Sequence, residues 1–271
     1  MVKQCPTKLD MNWSLNLMNK IFQLLIATLI ACSLVTHAKS ALTKPDYQRL
    51  NNASNFIESE QYLQAYKYLM QIKEEVVSDY AQTLVIYNLG LVELQQEKHT
   101  KALKHFNEAY QRKALTEIQQ SNLQRVIAQL NCHEEKWQLC IDYLNRWMKE
   151  QPDKVKGSDN FLLGQAYTQL ENWHAVNLEM QTAINSVAVA PKGWYQLTIA
   201  AHVQLGQWQA AISLQKEMLT HYADNHEFWR QLVSLHIQAE DYTGALAYQR
   251  MGFESYLLRE ERDYRLLAQM L

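Results

Sequence analysis

The chain has 271 residues with 7 Gly and 4 Pro, 48% apolar and 20% charged residues, and a formal net charge of −2. So few glycines and prolines argue against a fold rich in turns and strands and leave no glycine-rich loop to cradle a phosphate, while the apolar share suffices for a substantial core. A charge so near neutral offers no basic face to nucleic acid, and no long like-charged or low-complexity tract marks disorder.

The N-terminus reads as an address. Residues 21–35, IFQLLIATLIACSLV, are apolar and uncharged. Met18-Asn19-Lys20 precedes them as a short basic segment, and Thr36-His37-Ala38 follows with small residues where a signal peptidase inspects. The stretch is shorter than the ~20 residues that span a bilayer, so a cleaved secretory signal is expected. Residues 1–17 make an awkward leader, and Met18 is an alternative start. Leu29-Ile30-Ala31-Cys32 resembles a bacterial lipobox in which Cys32 would be acylated, although the chain stays apolar through Ser33-Leu34-Val35. Residues 1–38 are therefore assigned to leader and signal and 39–45 to a short linker. The location expected is the periplasm, with lipid anchoring at Cys32 as the alternative.

From residue 46 an aromatic residue recurs three positions before a small one. The pairs are Tyr62/Ala65, His99/Ala102, Trp137/Cys140, Trp173/Val176, Trp208/Ala211 and Tyr242/Ala245, and successive small members are 37, 38, 36, 35 and 34 residues apart. A period in that range means stacked supersecondary units. The first unit, 46–79, carries Ala53, Phe56, Tyr62, Ala65 and Leu69. The second, 83–116, is the clearest, with Leu89-Gly90, Ala102, Phe106 and Ala109; Gly90 is expected to face Ala102 where two helices approach closely. Units 121–154 (Ile127-Ala128, Trp137, Cys140, with Pro152 ending the second helix) and 157–190 (Leu163-Gly164, Tyr167, Trp173, Ala183) follow. Unit 191–225 keeps Trp194 and Leu197 in register, but Trp208 and Ala211 fit only with one extra residue in the turn. Unit 226–259 has Trp229, Leu232, Tyr242 and Ala245, and a last helix from about Glu260 to Leu271 covers the final hairpin. Trp137, Trp173 and Trp208 are expected in the core. Cys132 and Cys140 could pair in an oxidising compartment, but two packed thiols are the simpler expectation.

These spacings resemble the tetratricopeptide repeat. The resemblance implies an all-α fold: a right-handed α-solenoid of about six helical hairpins plus a C-terminal capping helix, over residues 46–271. A narrower resemblance rests on Tyr143-Leu144-Asn145-Arg146-Trp147, Pro191-Lys192-Gly193-Trp194-Tyr195-Gln196-Leu197, Phe228-Trp229-Arg230-Gln231-Leu232, Gly252 and Asp263-Tyr264-Arg265-Leu266-Leu267. It is to the periplasmic tetratricopeptide proteins encoded beside TonB, ExbB and ExbD components in marine gammaproteobacteria. That resemblance implies an accessory to energised outer-membrane uptake that acts by protein contact. An envelope lipoprotein scaffold for assembly or secretion is the alternative.

No catalytic motif emerges. His133-Glu134-Glu135 and His226-Glu227 lack a second His four residues after the first, where Trp137 and Arg230 stand. Cys132, His133 and Cys140 have no fourth ligand at a standard metal spacing. No enzyme activity, cofactor, metal or small-molecule substrate is expected. The partner expected is a protein or peptide, with TonB-system components as the specific candidates. The groove-facing positions of the first helices give the candidate binding residues: Tyr47, Tyr87, Leu91, Arg125, Phe161, Tyr195, His202 and Arg230. Tyr87 and Tyr195 are expected to contact the partner without supporting the core. Leu50 and Ser54 stand where a carboxylate clamp would need Lys and Asn, which disfavours chaperone-tail binding.

Overall fold

The structure is a computed structural model that describes residues 42–270. Of these, 79% are helical and none is in a strand, which establishes the all-α class. The leader, the signal segment and Cys32 lie outside the described residues. Six antiparallel hairpins follow one another: α1 (Lys44–Glu58) with α2 (Tyr62–Ile72), α3 (Asp79–Gln95) with α4 (His99–Arg112), and α5 (Glu117–His133) with α6 (Trp137–Glu150). Then come α7 (Gly157–Gln169) with α8 (Trp173–Asn185), α9 (Lys192–Gln204) with α10 (Trp208–His221), α11 (His226–Gln238) with α12 (Tyr242–Glu254), and a single helix α13 (Glu261–Met270). Two compact units divide between Gln151 and Pro152, with α1–α6 in the first and α7–α13 in the second.

In the first unit, side-chain caps start the first helices. Thr43 Oγ1 accepts from the Asp46 amide at 3.2 Å, and Ser78 Oγ from Ala81 at 3.0 Å. Thr116 and Gln119 form a reciprocal capping box at the head of α5. The Thr43 cap and Pro45 in the first turn draw Lys44 and Pro45, expected in the linker, into α1. Each second helix begins on the recurring ring: Tyr62, His99, Trp137. The small partners Ala65, Ala102 and Cys140 are wholly buried, whereas the rings are half-exposed at the hairpin edge. The expectation that Trp137 is a core residue is thus corrected; the fully buried tryptophan is Trp147, near the end of α6. At Gly90 the nearest neighbour is Phe106, whose ring would lie 2.6 Å from an added Cβ. The glycine makes room for that ring rather than for Ala102.

Pairing of the cysteines also departs from expectation. Cys132 in the last turn of α5 and Cys140 in α6 have Cα atoms 5.0 Å apart and are joined in a disulfide. The tight turn between the helices brings the small position of α6 directly against the end of α5, within normal bridging range.

The second unit repeats the design. Trp173, Trp208 and Tyr242 open α8, α10 and α12, and Val176, Ala211 and Ala245 are wholly buried. Trp173 and Trp208, like Trp137, are only partly buried; Trp173 packs against the core of this unit from its edge. The turn 205–207 before α10 is as long as 170–172 before α8, so hairpin five holds no extra residue there. The added residue is absorbed upstream of α9, which shifts the first-helix frame by one. Buried glutamines bolt successive hairpins: Gln215 Nε2 on α10 donates to the Phe228 carbonyl on α11 at 2.8 Å, and Gln249 Nε2 on α12 to the Asp263 carbonyl on α13 at 2.9 Å. Leu266 and Met270 of α13 pack against Val233, Ala245 and Leu258, so α13 covers the last hairpin as expected.

All six hairpins close with the same turn. The residue two before each second helix has left-handed φ: Glu60, Glu97, Glu135, Glu171 and Glu240 at 54–59°, and Gly206 at 69°. The next amide reaches back to a carbonyl five residues earlier, as in Lys98 to Glu93 at 2.9 Å and Gln207 to His202 at 2.8 Å, which satisfies a helix-end acceptor.

Candidate interaction surface

The expected groove residues divide sharply by exposure. In the first unit Tyr47 on α1 is 62% exposed. Tyr87 and Leu91 are not available: α3 is enclosed along nearly its whole length, and they are 8% and 2% exposed. Tyr87 packs against Phe106 with ring centroids 5.7 Å apart, and burial pushes its phenol pKa well up. Arg125 is half-buried, with its guanidinium 4.8 Å over the Trp147 ring.

In the second unit Phe161 is buried and stacks on Trp194 at 5.8 Å. Tyr195 is 2% exposed and its hydroxyl donates to Glu217 at 3.2 Å. Burial first, and then the Glu217 carboxylate, raise the Tyr195 pKa. His202 Nδ1 lies 2.7 Å from Gln207 Oε1 and joins the end of α9 to the turn; His236 and Asp241 repeat this at 2.8 Å one hairpin on. Arg230 is committed to α13: Nε and Nη2 donate to the two Asp263 carboxylate oxygens at 2.9 and 2.8 Å, and the guanidinium also meets Glu227 and Glu260. Tyr87, Leu91, Phe161, Tyr195, His202 and Arg230 are therefore corrected from lining residues to packing and latch residues. First-helix positions that would face an open groove are consumed by contacts between adjacent helices. Tyr47 and Arg125 keep accessible surface.

Sequence reading missed a polar pocket of about 320 Å³ in the first unit. The end of α4 supplies Tyr110 and Lys113, the start of α5 Glu117, Gln120, Ser121 and Gln124, and the end of α6 Glu150 and Gln151. Its walls are fixed by hydrogen bonds: Gln120 Nε2 to the Tyr110 carbonyl at 2.7 Å, and Trp147 Nε1 to Ser121 Oγ at 3.1 Å. Lys113 and two carboxylates at its mouth give it both signs of charge, which suits polar groups of an extended chain. The signal was present only as scattered polar residues at hairpin ends. One trio of metal-ligating side chains also converges among the described residues, His99, His133 and Glu134.

The structure is similar to several solved ones. A tetratricopeptide repeat protein from Parabacteroides merdae superposes with a TM-score of 0.54 at 13% identity, over 78% of this chain and 80% of that one. YrrB, described as a TPR protein with an unusual peptide-binding site, gives 0.53 at 12% identity over 70% and 92%. The Naa15/Naa10 assembly bound to HypK gives 0.59 at 13% over 84% of this chain, but only 39% of the matched chain. At these identities the likeness shows the tetratricopeptide-type fold alone. No protein-family model and no curated protein sequence matches the chain.

Proposed function

We propose that the chain is a non-enzymatic scaffold that binds a protein or peptide in the bacterial envelope, as an accessory to TonB-dependent uptake. The observation that carries the scaffold reading is the stacking of hairpins. Most large apolar side chains are spent on helix-to-helix contacts, and what remains open is helix surface with a polar, mixed-charge pocket and exposed side chains such as Tyr47. Such surfaces suit recognition of an extended segment. YrrB, a structural neighbour, is described by its peptide site, and the Naa15/Naa10 neighbour is bound to HypK; both favour a protein partner.

Two features support the envelope. The signal-like segment 18–38 directs export, and the Cys132–Cys140 bridge suits an oxidising compartment. Among the described residues no helix is long and apolar enough to cross a membrane. The second reading, a lipid-anchored assembly scaffold, is favoured by the sequence Leu29-Ile30-Ala31-Cys32. Affinity capture from detergent-solubilised membranes tests both. Recovery of TonB, ExbB or ExbD supports the uptake reading, and their absence beside an assembly or secretion complex overturns it. Mass spectrometry of the mature N-terminus separates cleavage after Ala38 from acylation at Cys32.

A further inference from the structure

We propose that His99, His133 and Glu134 form a site for a divalent transition-metal ion, Zn²⁺ by its chemistry, that ties the second hairpin to the third. His99 is the first residue of α4. His133 ends α5 and Glu134 opens the turn to α6. His99 is distant in sequence from the adjacent pair His133-Glu134, but the three ligand atoms lie within 4.8 Å of one another. His99 Nδ1 is 3.8 Å and His133 Nδ1 3.7 Å from Glu134 Oε1. Ligand atoms of a tetrahedral zinc ion with bonds of about 2.0–2.1 Å stand about 3.3–3.4 Å apart, so each imidazole must approach Glu134 Oε1 by only about half an ångström, and the widest pair of ligand atoms, up to 4.8 Å apart, by about 1.4 Å. Two imidazoles and a carboxylate suit zinc rather than calcium or magnesium, which take oxygen ligands.

Three further observations point the same way. The site is braced: Thr100 Oγ1 donates to Glu134 Oε2 at 2.7 Å, which orients the carboxylate and leaves Oε1 toward the histidines. The Cys132–Cys140 bridge and the left-handed turn at Glu135 hold the segment that carries His133 and Glu134. The two imidazoles meet edge to face with centroids 4.3 Å apart, which sets the two rings side by side across the hairpin junction. Because the cysteines are bridged, their sulfurs are not competing ligands. Three protein ligands leave one position for water.

The test is titration of the oxidised, chelator-treated mature protein, residues 39–271, with Zn²⁺ alone at pH 7.5, read by calorimetry and by competition with a metallochromic indicator, with thiol assay confirming that its two cysteines, Cys132 and Cys140, are bridged. One saturable equivalent is expected, together with a zinc-dependent rise in melting temperature and a tetrahedral Co²⁺ spectrum. His99→Gln and His133→Gln should each abolish saturable binding while their zinc-free melts remain cooperative. Thr100→Val, which removes only the brace, should weaken binding by ~10–100-fold. Absence of saturable binding, stoichiometry other than one, or binding unchanged in the His99→Gln/His133→Gln double variant would overturn the proposal and leave the trio as an ion-paired hairpin contact. None of these outcomes depends on the identity of a protein partner.

Discussion

Arg230 on α11 grips Asp263 on α13 through two hydrogen bonds, 2.9 and 2.8 Å long, between two side chains that are 12% and 3% exposed. Asp263 also accepts from the Glu260 amide at 2.9 Å, so the same carboxylate caps α13 and latches it to the body. Removing either partner leaves the other charge poorly solvated. Arg230→Ala is expected to lower stability by about 2–3 kcal/mol and to expose α13 to proteolysis before the rest of the chain unfolds. Limited proteolysis with mass mapping of the first cut checks it; a first cut elsewhere would show that α13 is held by its apolar contacts alone.

The latch fixes a pH dependence. Hydrogen bonding to Arg230 holds the Asp263 pKa below its ordinary value, and hydrogen bonds from the Gly244 amide and His236 do the same for Asp241. A depressed folded-state pKa means that the unfolded chain binds protons first as pH falls. The stabilisation is complete above the unfolded carboxylate value of about 4 and is lost as pH drops through the folded value. Melting temperature should therefore fall steeply below about pH 4, and Asp263→Asn should be less stable at pH 7 yet flatten the acid limb. Thermal melts from pH 2 to 7 decide it; parallel acid limbs for the two proteins would mean that Asp263 is not responsible.

Hairpin number, order and second-helix starts were legible because wholly buried small residues from Ala65 to Ala245 recur at a near-constant interval, and close packing tolerates little else there. Which first-helix residues stay exposed was not legible. Exposure of Tyr87 or Phe161 depends on the neighbouring helix, whose register one repeat does not encode. The Arg230–Asp263 latch, from the last hairpin to α13, and the approach of His99 to Glu134, from the second hairpin to the third, span 33 and 35 positions. A search within a single helix, at a spacing of four, passes over both.

Two glycines separate backbone from steric effects. Gly206 has φ of 69° and open space around an added Cβ, whereas Gly90 has ordinary φ but faces Phe106 at 2.6 Å. Gly206→Ala should cost about 1 kcal/mol through strain in the left-handed turn. Gly90→Ala should cost about 1–3 kcal/mol by displacing a wholly buried ring. Adding Phe106→Leu should recover part of the second loss and none of the first. Denaturant melts of the single and double variants measure this coupling.

Tyr195 and Tyr47 make opposite predictions. Tyr195 is nearly sealed from solvent, so Tyr195→Ala should lose about 3–5 kcal/mol, the range for deleting a large buried ring. Tyr47 is 62% exposed, and Tyr47→Ala should shift stability by no more than about 0.5 kcal/mol. Any loss of partner capture in Tyr195→Ala or Tyr87→Ala therefore reports unfolding, while a loss in Tyr47→Ala reports contact. Chemical denaturation beside each capture experiment separates the two; a stable Tyr195→Ala protein would return that ring to the binding surface.

The disulfide acts on the unfolded chain. It closes a short loop, with the cysteines separated by 8 positions. In the loop-entropy model a cross-link of this length is worth about 2–3 kcal/mol. Cys140 is wholly buried, so Cys140→Ala is the milder substitution because serine would bury an unpartnered hydroxyl. Reduction should lower the denaturant midpoint of the wild-type protein and leave that of Cys140→Ala unchanged. The loss should concentrate in the α5–α6 hairpin, seen as faster amide exchange there, because the bridge pins only that turn. Equal midpoints for oxidised and reduced wild-type protein would mean that the buried packing around Cys140 holds the turn without the bond.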